Sequence, residues 1–198
     1  MASPSIPTTL QPYFEKGIQA YTQGSYEYAT DLLVYVIKQA PSATEARRYL
    51  RLAIQKQYSQ HPPSGIASLA ATILTFPLAL WAGIESLSGR HDHAISLYEQ
   101  LLCLQPRSQW LLMQLAASLS RAGLQDATLA TYEDLLMLNP NHLRALRQLA
   151  RLSMKRGQDE QARQCFERVL VLAPNDNEAQ QGLRNLDALR TIKKGFGV

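Results

Sequence analysis

LALWAGIESLSGRHDHAISLYEQLLCLQP (residues 78–106), RSQWLLMQLAASLSRAGLQDATLATYEDLLMLNP (107–140) and NHLRALRQLARLSMKRGQDEQARQCFERVLVLAP (141–174) decide the fold, because they are versions of one pattern. Pro106, Pro140 and Pro174 fall at a constant step of 34, and so do Gly89, Gly123 and Gly157. The same step links Leu78, Leu112 and Leu146; Trp81, Leu115 and Leu149; and Ala82, Ala116 and Ala150. It also links Tyr98, Tyr132 and Phe166, and then Leu101, Leu135 and Val169. Ala94 and Ala162 match each other, with Thr128 between them. Positions held in register at this period are the mark of a repeated helix–turn–helix unit.

The physics inside one unit agrees. Leu112, Leu115, Ala116 and Leu119 stand at helical spacing and form one apolar stripe of a first helix. Gly123 ends that helix, since glycine tolerates the left-handed backbone a C-terminal cap often needs. A second helix over roughly 126–138 carries Leu129, Tyr132, Leu135 and Leu136 on one face. Asn139-Pro140 stops it, because proline disfavours a helical residue before it and has no amide proton. The alanines let the two helices approach closely. One such pair cannot bury its stripe alone, so neighbouring units must stack.

With its small-residue, aromatic and closing-proline positions matched in three consecutive copies, the chain resembles the tetratricopeptide repeat family. The resemblance implies an all-α fold, a right-handed superhelical solenoid of antiparallel helix pairs. It implies a generic interaction scaffold rather than an enzyme, with no cofactor, and it does not name the partner.

Working outward, residues 10–41 read as a divergent first repeat, in which Tyr13, Gly17, Gly24, Ala29, Leu33, Val36 and Pro41 hold the repeat positions. The step from Pro41 to Pro106 is 65, three short of two periods, so 42–75 reads as a degenerate helical repeat. Within it, Thr44 to Tyr58 predicts a helix with Leu50, Ala53, Ile54 and Tyr58 inward and Glu45, Arg47, Arg48, Arg51 and Lys56 outward. His61-Pro62-Pro63-Ser64-Gly65 breaks that helix. Ile66 to Thr75 then predicts a short helix, and Phe76 to Ser88 the first helix of the repeat 76–106, with Pro77 near its start. Repeats 107–140 and 141–174 follow. Residues 175–192 predict a capping helix, started by Asn175 or Asp176 and covering the last repeat with Leu183, Leu186 and Leu189. Residues 1–9 read as a Ser/Pro/Thr-rich disordered lead-in without the basic start or apolar run of a secretory signal, and 193–198 as a glycine-rich tail.

The chain has 198 residues, 46% of them hydrophobic, and a formal charge of +4. From Leu143 onward there are eleven Lys/Arg against six Asp/Glu, a local +5 that favours acidic partners. Cys103 and Cys165 fall in second helices of different repeats and read as reduced thiols of a cytoplasmic protein. No charged residue lies between Pro62 and Ile84. A stretch of that length raises a membrane segment as an alternative. Against it stand Pro77 and the polar side made by Ser68, Thr72 and Thr75, which together describe an amphipathic helix.

No catalytic constellation stands out: there is no phosphate-binding loop, nucleophile elbow, metalloprotease helix or CxxC. His91-Asp92-His93 is a weak ligand set placed in an expected turn, so no metal is assigned. The candidate site is a basic stripe. Arg144, Arg147, Arg151 and Lys155 are spaced 3, 4 and 4 and share one helix face, opposite Leu146, Leu149, Ala150 and Ser153. In the family it resembles, this face lines the concave groove that binds extended peptides. The resemblance adds Trp110, Met113 and Ala117 from one repeat, Phe76, Ala79, Leu80 and Gly83 from another, and Phe14, Ile18 and Tyr21 from the first.

Arginine forks grip carboxylates bidentately, which suits an acidic segment. The same stripe also suits a merely solvated face, and Trp110 either anchors a ligand or packs under a neighbouring helix. The family's carboxylate clamp is absent here, since Phe14 and Ile18 stand where it has Lys and Asn, and Gln148 follows Arg144 by one turn. The leading expectation is an adaptor binding a protein or peptide. The alternatives are a self-assembling subunit stacking through the apolar surfaces around Phe76 and Leu80, and a membrane-tethered repeat protein. Nucleic-acid binding is not expected, because no aromatics interleave the arginines.

Overall fold

The computed structural model describes residues 6–60 and 65–195, with side chains for 6–60 and 73–191. Ten helices and no strands occur among them. They are α1 (Gln11–Thr22), α2 (Tyr26–Gln39), α3 (Thr44–Gln60), α4 (Gly65–Leu87), α5 (His91–Leu104), α6 (Gln109–Arg121), α7 (Gln125–Leu138), α8 (Leu143–Lys155), α9 (Asp159–Leu172) and α10 (Asn177–Gly195). Two compact units divide the chain, Met1–Thr131 and Tyr132–Val198.

The turns carry the period. Gly24, Gly89, Gly123 and Gly157 have φ of 80°, 89°, 75° and 71°, the left-handed backbone that a residue with a Cβ adopts only at a cost. Helix starts recur in the same register. The side chains of Ser108, His142 and Asp176, each one period after the last, accept from the amides of Leu111, Ala145 and Ala179. Each thereby satisfies one of the orphan donors at a helix N-terminus.

In the first unit α1 pairs with α2, α3 packs on α2, and α5 touches α2, α4 and α6. Its core is built from the small and branched residues of the repeat, among them Ala29, Leu33, Val36, Leu50, Ala53, Ala94, Leu102, Leu112 and Leu115. In the second unit α9 is flanked by α8 and α10. Phe166 is fully buried there, and Gly182 of α10 lies hard against its ring. A Cβ at that glycine would stand 2.5 Å from Cζ and 2.9 Å from Cδ2 of Phe166, and closer still to Cε2.

Several expectations change. The predicted separation between Thr75 and Phe76 does not occur, because α4 is one helix running through Pro77. Proline removes one backbone bond, to the carbonyl of Ile73. Both residues are exposed, so water can take that carbonyl and the interruption is tolerated. Arg47 and Arg51 are buried rather than outward, because Glu99 of α5 receives both guanidiniums. His91, Asp92 and His93 form the first turn of α5 rather than a connecting turn. Leu186 is buried and Leu183 half-buried, but Leu189 is exposed. Ile73 and Leu74, expected on the apolar inward side of 66–75, are exposed, and Thr75, expected on its polar side, is buried. Gly65, expected to help break the helix, begins α4. The rest of that break at 61–64, residues 1–5, the last three residues and the side chains of 66–70 lie outside what is described.

Candidate partner-binding site

The candidate residues fall in both units. In the first, Phe76 and Leu80 on α4 and Trp110 on α6 are each about half exposed, while Met113 and Ala117 are half-buried. Phe76 and Trp110 hold the same repeat position one period apart, and their ring centroids lie 6.3 Å from each other with planes at 31°. They form a small aromatic platform that hydrophobic packing leaves open to solvent. Ala79 and Gly83 contribute less than expected. Ala79 is buried, its carbonyl accepting the Tyr98 hydroxyl at 3.2 Å, and Gly83 faces the same hydroxyl. At the start of the chain Phe14 is buried against Tyr49, so it belongs to the core and not to a groove. Tyr21 also meets Tyr49 edge-on, and Ile18 is half-buried.

In the second unit the basic stripe on α8 is as spaced, with Leu146, Leu149, Ala150 and Ser153 buried on the opposite side. Arg144 and Lys155 are exposed. Arg147 donates to Asp176 at 2.6 Å, and Arg151 is paired with Glu178. The side chain of Asp176 is largely buried and also caps α10. The Ala179 amide first, and the Arg147 guanidinium after it, hold its carboxyl below the usual range against the opposing effect of burial. The middle of the stripe is therefore already engaged by an acidic turn of the chain itself. Asp176 sits one period after the capping His142, a register that marks it as a cap but does not reveal its approach to α8.

Two further charge clusters lie inside the first unit. Glu99 is buried between Arg47, whose Nε is 2.7 Å from Oε1, and Arg51, whose Nη2 is 2.6 Å from Oε2. Burial pushes its carboxyl up, but the Arg51 and Arg47 charges outweigh that and hold it below the ordinary value. Glu85 near the end of α4 pairs with His93 and, more loosely at 3.6 Å, with Arg90. The His93 hydrogen bond is the main reason its carboxyl is held low. Among the described residues no group of three or more His, Cys, Asp or Glu is placed to hold a metal ion. No helix there is long and apolar enough to cross a membrane.

None of the curated proteins compared with the chain matches it. A tetratricopeptide repeat family model matches residues 122–186. Among solved structures, the first repeat domain of Spaghetti (RPAP3), bound to the HSP90 peptide SRMEEVD, is 22% identical. That match covers 59% of this chain and 93% of that one, with a TM-score of 0.54. A tetratricopeptide repeat protein from Parabacteroides merdae is 19% identical over 92% of this chain and 60% of its own, with a TM-score of 0.55. The repeat domain of P58(IPK) is 16% identical over 96% and 57%, at 0.52. At these identities the likeness is one of fold. Joined to the constant step of the repeat and the left-handed glycines at its turns, it gives this chain a tetratricopeptide repeat fold, with the family model itself matched over 122–186.

Proposed function

We propose that the chain is a non-catalytic interaction scaffold that binds a peptide or a partner helix on the exposed faces of its first helices. The observation that carries this is the Phe76–Trp110 pair: two aromatic rings at one repeat position, packed on each other and still about half exposed. Large aromatics in such settings are the usual anchors of protein interfaces. The fold is one on which peptides are known to dock, the Spaghetti domain with its HSP90 peptide and the second domain of human RPAP3 with the HSP70 peptide SGPTIEEVD. An extended or helical segment offering apolar side chains fits Phe76, Leu80 and Trp110.

A preference for acidic segments rests on α8. A stripe whose Arg147 and Arg151 already hold two carboxylates of the same chain has the chemistry to hold others at Arg144 and Lys155. The two free cysteines, both with thiols raised by burial, fit a reducing compartment such as the cytoplasm.

The test is capture from source lysate by wild type, by Phe76→Ser/Trp110→Ser and by Arg144→Glu/Lys155→Glu, all matched for helicity. A specific partner should be lost with the aromatic variant, its affinity falling roughly 30-fold or more. The charge variant should weaken only partners with acidic segments. Capture unchanged by the aromatic variant refutes the reading.

A further inference from the structure

The leading face of α4, the side turned toward what precedes it in the array, differs from that of the other first helices. In α6 this face is Leu111, Leu112, Leu115 and Ser118, all buried, and α6 packs on α5, the helix before it. One period earlier the same positions are Pro77, Leu78, Trp81 and Ile84. Leu78 is 48% exposed, Trp81 53% and Ile84 59%, against 1% for Leu112 and 0% for Leu115. The cause is a missing helix. The stretch from Pro41 to Pro106 has nearly the length of two helix pairs, yet the described residues form only α3, α4 and α5. The length of the second helix that should precede Phe76 has gone into the N-terminal half of α4.

α1 shows what a leading face looks like when it is built for water. Its equivalent positions, aligned through Pro41 and Pro106, are Pro12, Tyr13, Lys16 and Gln19, with Lys16 and Gln19 exposed. α4 instead keeps core-type residues on a bare face, extended by the exposed Ile73 and Leu74, within a stretch that has no charge from Pro62 to Ile84. Exposed apolar patches of this extent are rare on monomers and mark contact surfaces.

We propose that this face is the contact of a two-fold dimer in which the α4 helices of two copies pack antiparallel, with Leu78 and Trp81 near the axis and Leu74 of one copy beside Ile84 of the other. An isologous contact requires one patch complementary to itself. An uncharged stripe of mixed large and small apolar residues meets that requirement, and it offers no charge by which a different partner would be selected. The exposed parts of Ile73, Leu74, Leu78, Trp81 and Ile84, with the exposed Pro77 among them, offer at most roughly 700 Å² per copy, near the ~800 Å² per partner of a standard stable interface. In the dimer each α4 supplies the other with the helix its own repeat lacks. Phe76 and Trp110 lie beside this face rather than on it, and Leu80, one turn before Ile84, borders it.

The experiment is sedimentation equilibrium of the full chain over a wide concentration range, with Leu78→Glu and Ile84→Glu as separate variants and Lys16→Glu as control. Both apolar side chains are exposed in the single chain, so the variants keep their helicity, which circular dichroism checks. Wild type and Lys16→Glu should reach twice the 22.1 kDa chain mass, and each apolar variant should dissociate roughly 30-fold or more readily. Leu78→Glu should be the more severe, since near the axis it opposes like charges. A wild type that stays monomeric throughout, a dimer indifferent to both substitutions, or a monomer that floats with neutral phosphatidylcholine vesicles overturns the proposal.

Discussion

Replacing Glu99 by Gln removes one charge and almost no volume, and the structure makes it a severe change. Glu99 is 2% exposed, and its two oxygens lie 2.7 Å from Arg47 and 2.6 Å from Arg51. The buried cluster has two positive charges and one negative. An amide in place of the carboxylate accepts at one atom only and turns its own N–H groups toward the second guanidinium. Arg47 keeps its bond to the Pro41 carbonyl, but the charge that balanced the two arginines is gone. Breaking a buried ion pair by removing one partner costs about 3–5 kcal/mol. That is a large share of the ~5–15 kcal/mol of a typical domain.

Replacing all three residues by Leu or Met should cost far less, or even stabilise, because the desolvation penalty of the three charges disappears as well. The assay is urea unfolding followed by amide exchange in α2, α3 and α5, since a repeat array need not unfold in one step. The effect should be concentrated in those helices, with α9 and α10 unaffected. A loss below about 1 kcal/mol for Glu99→Gln, the range of an exposed pair, would refute the reasoning.

The pH dependence follows with a definite sign. The Glu99 carboxyl is held below its unfolded value by Arg51 and Arg47, so its contribution is complete above the ordinary carboxylate range near pH 4. It is lost as pH falls further, through the depressed folded value. Glu99→Gln should flatten the acid limb of the stability profile.

Other outcomes follow from the packing. Gly182→Ala drives a methyl into the ring of Phe166, and overpacking of this kind should cost about 1–3 kcal/mol in thermal or urea unfolding of the second unit. Phe166→Leu in the same chain should return part of the loss. Gly123→Ala meets nothing within 4 Å, so only its φ of 75° is penalised, by about 1–2 kcal/mol, and Gly123→Asn should cost less than Gly123→Ala. The Cys103 thiol, pushed up to about 12 by burial, should resist alkylation at neutral pH in the folded chain and react once urea unfolds it.

How much of this was legible depends on how far each interaction reaches along the chain. Repeat positions, turn glycines and the buried stripes of α6, α8 and α9 follow from spacing alone, because each is set within one helix or one turn. The spacing of the basic stripe on α8 was equally plain, but not that Asp176 and Glu178 would occupy its middle. Arg47 and Arg51 read as outward cations. Their burial could not be inferred without Glu99, which lies far along the chain and meets them only when α5 comes against α3. The continuity of α4 through Pro77 was hidden for a related reason. Local preference argued for a start at proline, while the bare solvent-facing side of the helix removed the penalty for running through it. The repeat, its period and its punctuation are local properties, and the order of residues sufficed to set them. Which face stays uncovered, and which charges are buried together, emerged only when non-neighbouring helices came into contact, since burial is a property of what another part of the chain supplies.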